Sequence, residues 1–547
     1  EVSEALVLRD VLYTFQGIDG HYVKYDPELQ GYSIDPTVGA SRSLRHLVHQ
    51  VTELGALYAK VHNFVEEKLS DTSYGLVGQS FCSAMQRQLS EYFRFIAVLD
   101  SHIIKESPSE AQNASSDKLT LRSMLIWTQD FAQKLRLMNA MVDCCSGQKG
   151  GALVSQIHAY SLHGDPFIRE FIGETLEEVA QPFYEMLHRW IYEGELEDPH
   201  QEFFVSCDPT MTADQEDVDI WQEKFSIRKA MIPSFIHESL ARKIFSVGRS
   251  LNFIRYCCDD NEWVTRRNRD TRTILRYSDL EGLEASIDAA YRATSRRLLN
   301  TLYTRYHLID HMKALKRFLL LGQGEFAQCL MDALGPSLAK PASMLFRHNL
   351  TSTLETAIRT SNVQYEDPDI KSRLDVKALE VSPGDSGWDV FSLEYNVEQP
   401  IKTVFKKTAM DQYRQLFKFL WRLKRVEHTL SAAWRRQMTS AHTLNRVREL
   451  QVQLRYCNLQ CSEMVHFIYQ LQYYILFEVM ECSWEELIKV IKDKANDLDL
   501  LIQAHDRYLR SILSNALLEI SPSQVSRLPC RLSPSDTLTA AETMRPR

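Results

Sequence analysis

Residues 450–484 read LQVQLRYCNLQCSEMVHFIYQLQYYILFEVMECSW, and they contain neither glycine nor proline. Leu450, Leu454, Cys457, Cys461, Met464, Val465, Ile468 and Ile475 recur at the spacing that puts apolar side chains on one face of an α-helix. The run predicts one helix of about 40 residues ending near Cys482, roughly 60 Å long at 1.5 Å per residue. Ser483 and Glu486 then have the spacing of a capping box that starts the next helix. The same freedom from breakers extends on both sides. No glycine occurs from Trp388 to Arg547, and no proline lies between Pro400 and Pro522, so nothing in the backbone forbids long helices. Tyr413, Leu416, Phe417, Leu420 and Leu423 give a second stripe upstream.

The N-terminal half carries the same period. Leu8, Val11, Leu12 and Phe15 predict a helix that stops at Gly17–Gly20; Leu44, Leu47, Val48, Val51, Leu54, Tyr58 and Val61 predict another, and Phe81, Leu89, Phe93, Ile96 and Leu99 a third. Tyr22, Tyr25 and Tyr32 around Pro27 and Gly31 predict a small hairpin. One later segment departs from helical period: EVSPGDSGWDVFSLEYNVEQP, residues 380–400, in which Phe391, Leu393, Tyr395 and Val397 alternate with polar neighbours, as in an extended strand with one apolar face. The fold class is therefore all-α: two modules of stacked helical bundles with long helices, plus a small hairpin near the N-terminus and a short extended segment around 380–405. The expected division is 1–302 and 303–520. A tail, 521–547, has Pro522, Pro529, Pro534 and Pro546 and no sustained apolar period, so it is expected to be disordered.

Composition narrows the function. With 547 residues, 44% hydrophobic and 25% charged, the chain can bury a large core. The longest apolar run, 473–480, is interrupted by Glu478, so no membrane insertion is expected. A formal charge of −9 speaks against a nucleic-acid partner. Arg266, Arg267, Arg269 and Arg272 read as a solvated loop, and Arg422, Lys424, Arg425, Arg435 and Arg436 as an exposed helix face. Eleven cysteines without a framework spacing predict a reducing compartment. The sequence starts at Glu1 with neither methionine nor a basic-then-apolar leader, so a fragment without a secretory signal is expected.

No constellation of an enzyme appears: there is no phosphate loop, no zinc-protease helix, no C-x-x-C pair and no nucleophile elbow. Gly322, Gly324 and Ala327 spell G-x-G-x-x-A, but they follow a segment with helical period, so a turn between helices is expected rather than a nucleotide site. Cys457 and Cys461 read as small core residues and His466 as a core histidine. Glu193, Glu195, Glu197 and Asp198 crowd one turn with no paired basic or metal-ligand group apparent; a solvated turn or a docking surface for a basic partner are the two readings. No catalytic residue, cofactor or metal is expected.

Several strings together resemble the γ-tubulin complex protein family, in particular its component 3 type. LVLRDVLYTFQGIDG (6–20), YGLVGQSFCSAM (74–85), RWIYEGELEDPHQEFFV (189–205) and IRKAMIPSF (227–235) resemble the family's first module. LLLGQGEFAQCLMDAL (319–334), the 380–400 segment and CSEMVHFIYQLQYYILFEVMECSW (461–484) resemble its second. The resemblance implies a non-enzymatic scaffold. Its first module would pack beside neighbouring complex proteins, including a component 2 type. Its second would hold γ-tubulin, to which any GTP belongs, and lateral repetition in a ring would template microtubules at a centrosome or other organising centre and in the spindle. On that footing Trp388, Phe391, Leu393 and Tyr395 are expected anchors for γ-tubulin, with Asp389 and Lys402 as a polar rim and Arg347, His348 and Asn349 as a second group. Packing of the apolar face on its own module is the competing reading. Tyr13, Phe15 and Asp19 and the turn Glu195, Glu197 and Asp198 are expected lateral contacts, Tyr13 and Phe15 doubling as core. The alternatives are a helical adaptor for another partner, for which no internal repeat is found, and a nucleotide-dependent enzyme using the Gly322 turn. The family normally continues with another helix where this sequence has its proline-bearing tail.

Overall fold

A computed structural model describes residues 4–27, 30–105, 120–208, 220–270, 277, 279–378, 386–443, 448–493, 496–516 and 518. Residues 106–119 and 209–219, residues 379–385, which include the start of the 380–400 segment, and the tail 521–547 lie outside the described residues. The chain divides into two compact units, 1–294 and 295–547.

In the first unit, α1 (Glu4–Phe15) leads into an antiparallel pair, β1 (Val23–Asp26) and β2 (Gly31–Ile34), with Tyr25 opposite Tyr32. Then come α2 (Arg42–Leu69), α3 (Gly75–Lys105) and α4 (Leu121–Cys145). The expected stripes are the buried faces: Val11 and Phe15 on α1, Val48, Val51, Leu54 and Val61 on α2, and Phe81, Leu89, Ile96 and Leu99 on α3 are all in the core, whereas Phe93 is exposed. α2 passes so close to the end of α1 that a Cβ on Gly55 would stand 2.0 Å from the Thr14 carbonyl oxygen, so only glycine fits there. Thr52 Oγ1 donates to the Tyr32 carbonyl at 3.1 Å, tying the hairpin to the same helix.

The unit continues through α5 (Gly150–Ser161), α6 (Pro166–Val179), α7 (Gln181–Tyr192), the short β3 (Val205–Cys207), α8 (Ile220–Glu223) and β4 (Phe225–Ile227), the two strands pairing antiparallel. It closes with α9 (Glu238–Tyr256), α10 (Asn261–Asp270) and α11 (Leu280–Thr304), inside which the division between units falls. α10 corrects the expectation of a loop at Arg266 and Arg267. Val264 is fully buried, and Arg267 lies over the Trp263 ring and donates to Thr294, so this arginine is taken up by packing, while Arg266 is exposed and pairs with Glu262 at 2.9 Å. Long range contacts also fix α3. Its first turn begins after Gly75, at φ +84°, and the amides of Leu76 and Val77 donate to the buried carboxylate of Glu202 at 2.6 and 3.1 Å. Burial pushes the Glu202 carboxyl up, while these amides pull it down. A carboxylate at a helix N-terminus satisfies donors the helix itself cannot.

In the second unit α12 (Leu308–Phe318) and α13 (Gly324–Leu338) are joined by the Gly322 turn. Gly322 and Gln323 donate to the carbonyls of Lys316 and Arg317, and Leu321 sits at φ +51°. The turn thus connects helix to helix, without the strand that a dinucleotide fingerprint needs. There follow α14 (Arg347–Thr360), α15 (Pro368–Ser372), β5 (Leu374–Ala378), α16 (Gly387–Val390), β6 (Phe391–Tyr395), α17 (Lys407–Thr443), α18 (Arg448–Tyr473), α19 (Cys482–Asp493) and α20 (Leu498–Asn515). β5 and β6 pair antiparallel, Val376 opposite Leu393.

The long helix does not end at Cys482. A π-helical interval, Tyr474–Glu481, joins α18 to α19, and Cys482 keeps helical dihedrals. Ser483 is buried and faces Ser511 of α20 at 3.2 Å, so it serves inter-helix packing and not a cap. Of the two cysteines expected in the core, Cys461 is buried and Cys457 is exposed; His466 is exposed as well. Among the described residues no helix is long and apolar enough to cross a membrane, and no cluster of three or more His, Cys, Asp or Glu could hold a metal ion.

At the centre of this unit His505 is fully buried, its Nε2 3.0 Å from the Tyr413 hydroxyl. Burial holds its pKa down, from 6.5 to about 4, so the ring is neutral in the folded state. A pKa depressed by folding contributes stability that is complete above about 6.5 and is lost as pH falls toward 4, about 3 kcal/mol in all. Urea denaturation of the full chain is expected to show this decline between those pH values, and His505→Gln, which cannot titrate, to flatten it whatever its effect on the plateau. Glu202→Ala is expected to lower stability by about 2 kcal/mol, read as an earlier unfolding transition, because buried amides at the start of α3 lose their acceptor.

Candidate functional site

The residues expected at the γ-tubulin surface gather at one corner of the second unit, but they divide into two layers. Phe391, Leu393 and Tyr395 are each 2% exposed or less. Phe391 packs on Trp421 and Phe417 of α17, ring centroids at 5.0 and 6.2 Å, and the Tyr395 hydroxyl lies 2.6 Å from His311 Nδ1 on α12. Burial lowers the His311 pKa and raises that of Tyr395, so both stay neutral and the hydrogen bond between them is an uncharged one. The apolar face of β6 is therefore the side that closes on its own unit. Its intervening residues are not free either: Ser392 is buried, and Glu394 accepts from Lys377 at 2.7 Å with Arg414 at 3.6 Å.

The outer layer starts at α16. Gly387 donates to the Lys340 carbonyl at 3.2 Å, and Ser386 bridges to Pro341. A Cβ at Gly387 would lie 2.8 Å from the Leu338 carbonyl, so the segment before β6 is pressed against the end of α13. This holds the half-buried Trp388 and the exposed Asp389 at the surface. The guanidinium of Arg425 lies 5.4 Å from the Trp388 ring centre and 3.7 Å from Asp389, and Ser386 Oγ donates to Asp389 at 2.6 Å. Lys402 is half-buried on the turn Ile401–Thr403.

Arg347, His348 and Asn349 form the exposed first turn of α14, which shares the corner. Arg347 donates to Asp375 of β5 at 2.5 Å. A cation at a helix N-terminus runs against the helix dipole, and no side chain caps this end, so the turn is not arranged for helix stability. Beside it stand two side chains that the sequence reading missed. Met344 is 62% and Phe346 58% exposed, and the Phe346 ring stacks on His348 at 5.8 Å. Their signal was present: two large apolar residues, separated by one position, directly before a helix that does not use them for its buried stripe of Leu350, Leu354 and Ala357.

In the first unit, Phe15 is fully buried, with Tyr92 donating to its carbonyl at 3.2 Å. Tyr13 is exposed, which corrects its expected share in the core, and it is joined on the outer side by exposed Leu6 and Ile18. Asp19 is exposed and accepts from the Tyr25 amide at 3.1 Å. The acidic turn does have basic partners, one from the preceding helix and two from farther along the chain. Glu195 pairs with Arg255, Glu197 with Arg189, and Asp198 with Arg228 at 3.4 Å while also accepting the amides of Glu202 and Phe203 at 2.8 and 2.9 Å. Of the three, Glu197 keeps the most exposed carboxylate.

Comparison with known proteins covers both units. The family description "Gamma tubulin complex component N-terminal" matches residues 8–305, and "Gamma tubulin complex component C-terminal" matches 308–530. The chain is 45% identical to "Gamma-tubulin complex component 3 homolog" of Xenopus laevis over 95% of its length and 58% of the relative, and 44% identical to "Gamma-tubulin complex component 3" of Homo sapiens over the same shares. It is 38% identical to "Spindle pole body component alp6" of Schizosaccharomyces pombe, over 94% of this chain and 63% of that one. The chain thus spans about three-fifths of the length of these relatives. Phe391→Ala or Leu393→Ala is expected to destabilise the fold by about 3 kcal/mol or more, as a lower denaturation midpoint, since each empties a packed position. Arg347→Ala, on the outer layer, is expected to shift that midpoint by less than about 1 kcal/mol.

Proposed function

Because the chain belongs to the gamma-tubulin complex component family, we propose that it is a non-enzymatic scaffold whose second unit holds γ-tubulin and whose first unit packs beside other complex components, a component 2 type among them. Matches to both family descriptions, one on each unit, are the observation that carries this reading. Repetition of such scaffolds in a ring would hold several γ-tubulins at one spacing. Their mutual orientation is then fixed before the first tubulin subunits arrive, so less translational and rotational freedom remains to be lost when a microtubule starts. Rigidity serves that role. Long helices without interior glycine, and a strand locked between α12 and α17, supply it in the second unit. The place of action that follows is the cytoskeleton at a microtubule-organising centre, centrosome or spindle.

For the γ-tubulin surface we infer the outer layer of the corner: Met344, Phe346, Arg347, His348 and Asn349 together with Trp388, Asp389 and Lys402. Exposed apolar side chains flanked by charge have the make-up of an interface centre with a polar rim. Phe391, Leu393 and Tyr395 act from beneath, by holding α16 and β6 in place. For the lateral surface we infer Leu6, Tyr13, Ile18, Asp19 and Glu197. The full chain mixed with purified γ-tubulin is expected to co-elute on size exclusion. The double variant Phe346→Ala/Arg347→Glu is expected to weaken that binding at least tenfold, with its thermal midpoint unchanged. Failure of the unaltered chain to bind γ-tubulin would remove the reading, and full binding by the double variant would remove only the surface.

A further inference from the structure

α17 carries eight lysines and arginines against two acids, Asp411 and Glu427, in a chain whose formal charge is −9. Both acids are already engaged: Asp411 accepts from Arg414 at 2.7 Å, and Glu427 accepts from Lys424 at 2.9 Å and from Gln472 at 2.6 Å. One side of the helix gives Tyr413, Phe417 and Leu420 to the core. On the opposite side lie Lys418, Arg422, Arg425, Val426 and Arg436, which at 100° per residue fall within about 100° of one another. Lys418, Arg422 and Arg436 are exposed and make no ion pair among the described residues. Val426, one turn beyond Arg422, is 41% exposed. Arg425, on the flank, lies 5.4 Å from the Trp388 ring centre and 3.7 Å from Asp389, so one carboxylate already approaches this face from the side. Like charges one turn apart repel, and no acid on the helix offsets Lys418 and Arg422. An anionic partner would turn that repulsion into attraction.

We propose that this face of α17 binds an extended acidic segment of a partner protein, with carboxylates at alternate positions followed by an apolar side chain. Spacing and charge carry the choice. Lys418, Arg422 and Val426 follow at intervals of four residues, an advance of about 6 Å each at 1.5 Å per residue. In an extended peptide the side chains on one side recur every second residue, about 6.6 Å apart. A segment of the form acid-x-acid-x-apolar therefore sets its carboxylates on Lys418 and Arg422 and its apolar group on Val426. The guanidinium fork of Arg422 can hold a carboxylate by two hydrogen bonds. Clusters of arginine are an established means of reading acidic motifs. A nucleic acid fits less well, because phosphate binding needs a broad basic surface and this one is a single helix wide on an acidic chain. A membrane fits less well too, because Val426 is the one large apolar side chain in the row. The face adjoins the corner at Trp388 but is tested without γ-tubulin, so the inference does not rest on the γ-tubulin reading.

Fluorescence anisotropy of a labelled peptide, Gly-Glu-Ser-Glu-Ser-Leu-Gly, titrated with the full chain at low salt tests it. The expected result is saturable binding that Lys418→Glu/Arg422→Glu weakens by about tenfold or more, as loss of charge-assisted pairs requires. Arg94→Glu/Arg122→Glu, which makes the same change of net charge at exposed positions of α3 and α4, leaves the binding as it was. The isomeric peptide Gly-Glu-Glu-Ser-Ser-Leu-Gly, whose carboxylates are adjacent, binds more weakly. Thermal midpoints of both double variants match the parent, since all four positions are at the surface. Absence of peptide binding overturns the proposal, as does binding that Lys418→Glu/Arg422→Glu leaves intact. Equal loss in Arg94→Glu/Arg122→Glu overturns it by showing an effect of net charge alone, and equal affinity for the two peptides overturns the alternate spacing. A DNA duplex or phosphatidylserine vesicles that bind through Lys418 and Arg422 while the peptide does not also overturn it, and give the face to that polyanion.

Discussion

The packing of Phe391 against Trp421 and Phe417 is the interaction on which the second unit is organised. It attaches the β5–β6 antiparallel pair to the long helix α17, and Tyr395 at the other end of the strand attaches the same pair to α12 through His311. With both ends of β6 held, α16 has little freedom, and Gly387 lets it press on the end of α13. The exposed residues of the corner are then presented by three elements that cannot move independently. Rigid presentation is what a scaffold that sets the spacing of its partners requires.

The first unit reaches a similar rigidity by different means. Glu202 reaches from far along the chain to accept the first amides of α3, and Asp198 accepts two amides of the turn that carries Glu202 while pairing with Arg228. Buried carboxylates are costly unless their acceptor capacity is used, and here it is used on backbone that would otherwise be unsatisfied. The fully buried Trp190 adds a direct wedge: its indole donates to the Ile244 carbonyl at 2.9 Å and fills the space over Gly248, where a Cβ would stand 2.0 Å from the ring.

Local order was the legible part of the sequence. The hairpin at Val23–Ile34, the stripes of α1, α2 and α3 and the helix-to-helix character of the Gly322 turn depend on residues within a few positions of one another, where period and turn chemistry act directly. What was not legible depends on distance. The arginines that pair with Glu195 and Asp198 come from 60 and 30 residues away, and Arg189, though only eight residues from Glu197, meets it because the chain turns back on the end of α7. An alternating strand announces one apolar face without saying whether that face meets its own helices or another protein, and for Phe391, Leu393 and Tyr395 it meets its own. Ser483 has the residue type and spacing of a cap, but α20 is packed against it and the helix runs on. Met344 and Phe346 stand in sequence as two large apolar residues outside the buried stripe of α14, but that they are exposed follows only from the assembled corner.

We propose that γ-tubulin is held by the outer layer of the corner, above a strand that is itself core. A contact map of the full chain bound to γ-tubulin, from cryo-electron microscopy, tests this most directly. The expected map has γ-tubulin within contact distance of residues 344–349 and 388–389, with Phe391, Leu393 and Tyr395 still packed on α17 and α12. A complex in which the side chains of Met344, Phe346 and Arg347 remain in solvent while γ-tubulin sits elsewhere, or in which β6 leaves its unit to contact the partner, would contradict it.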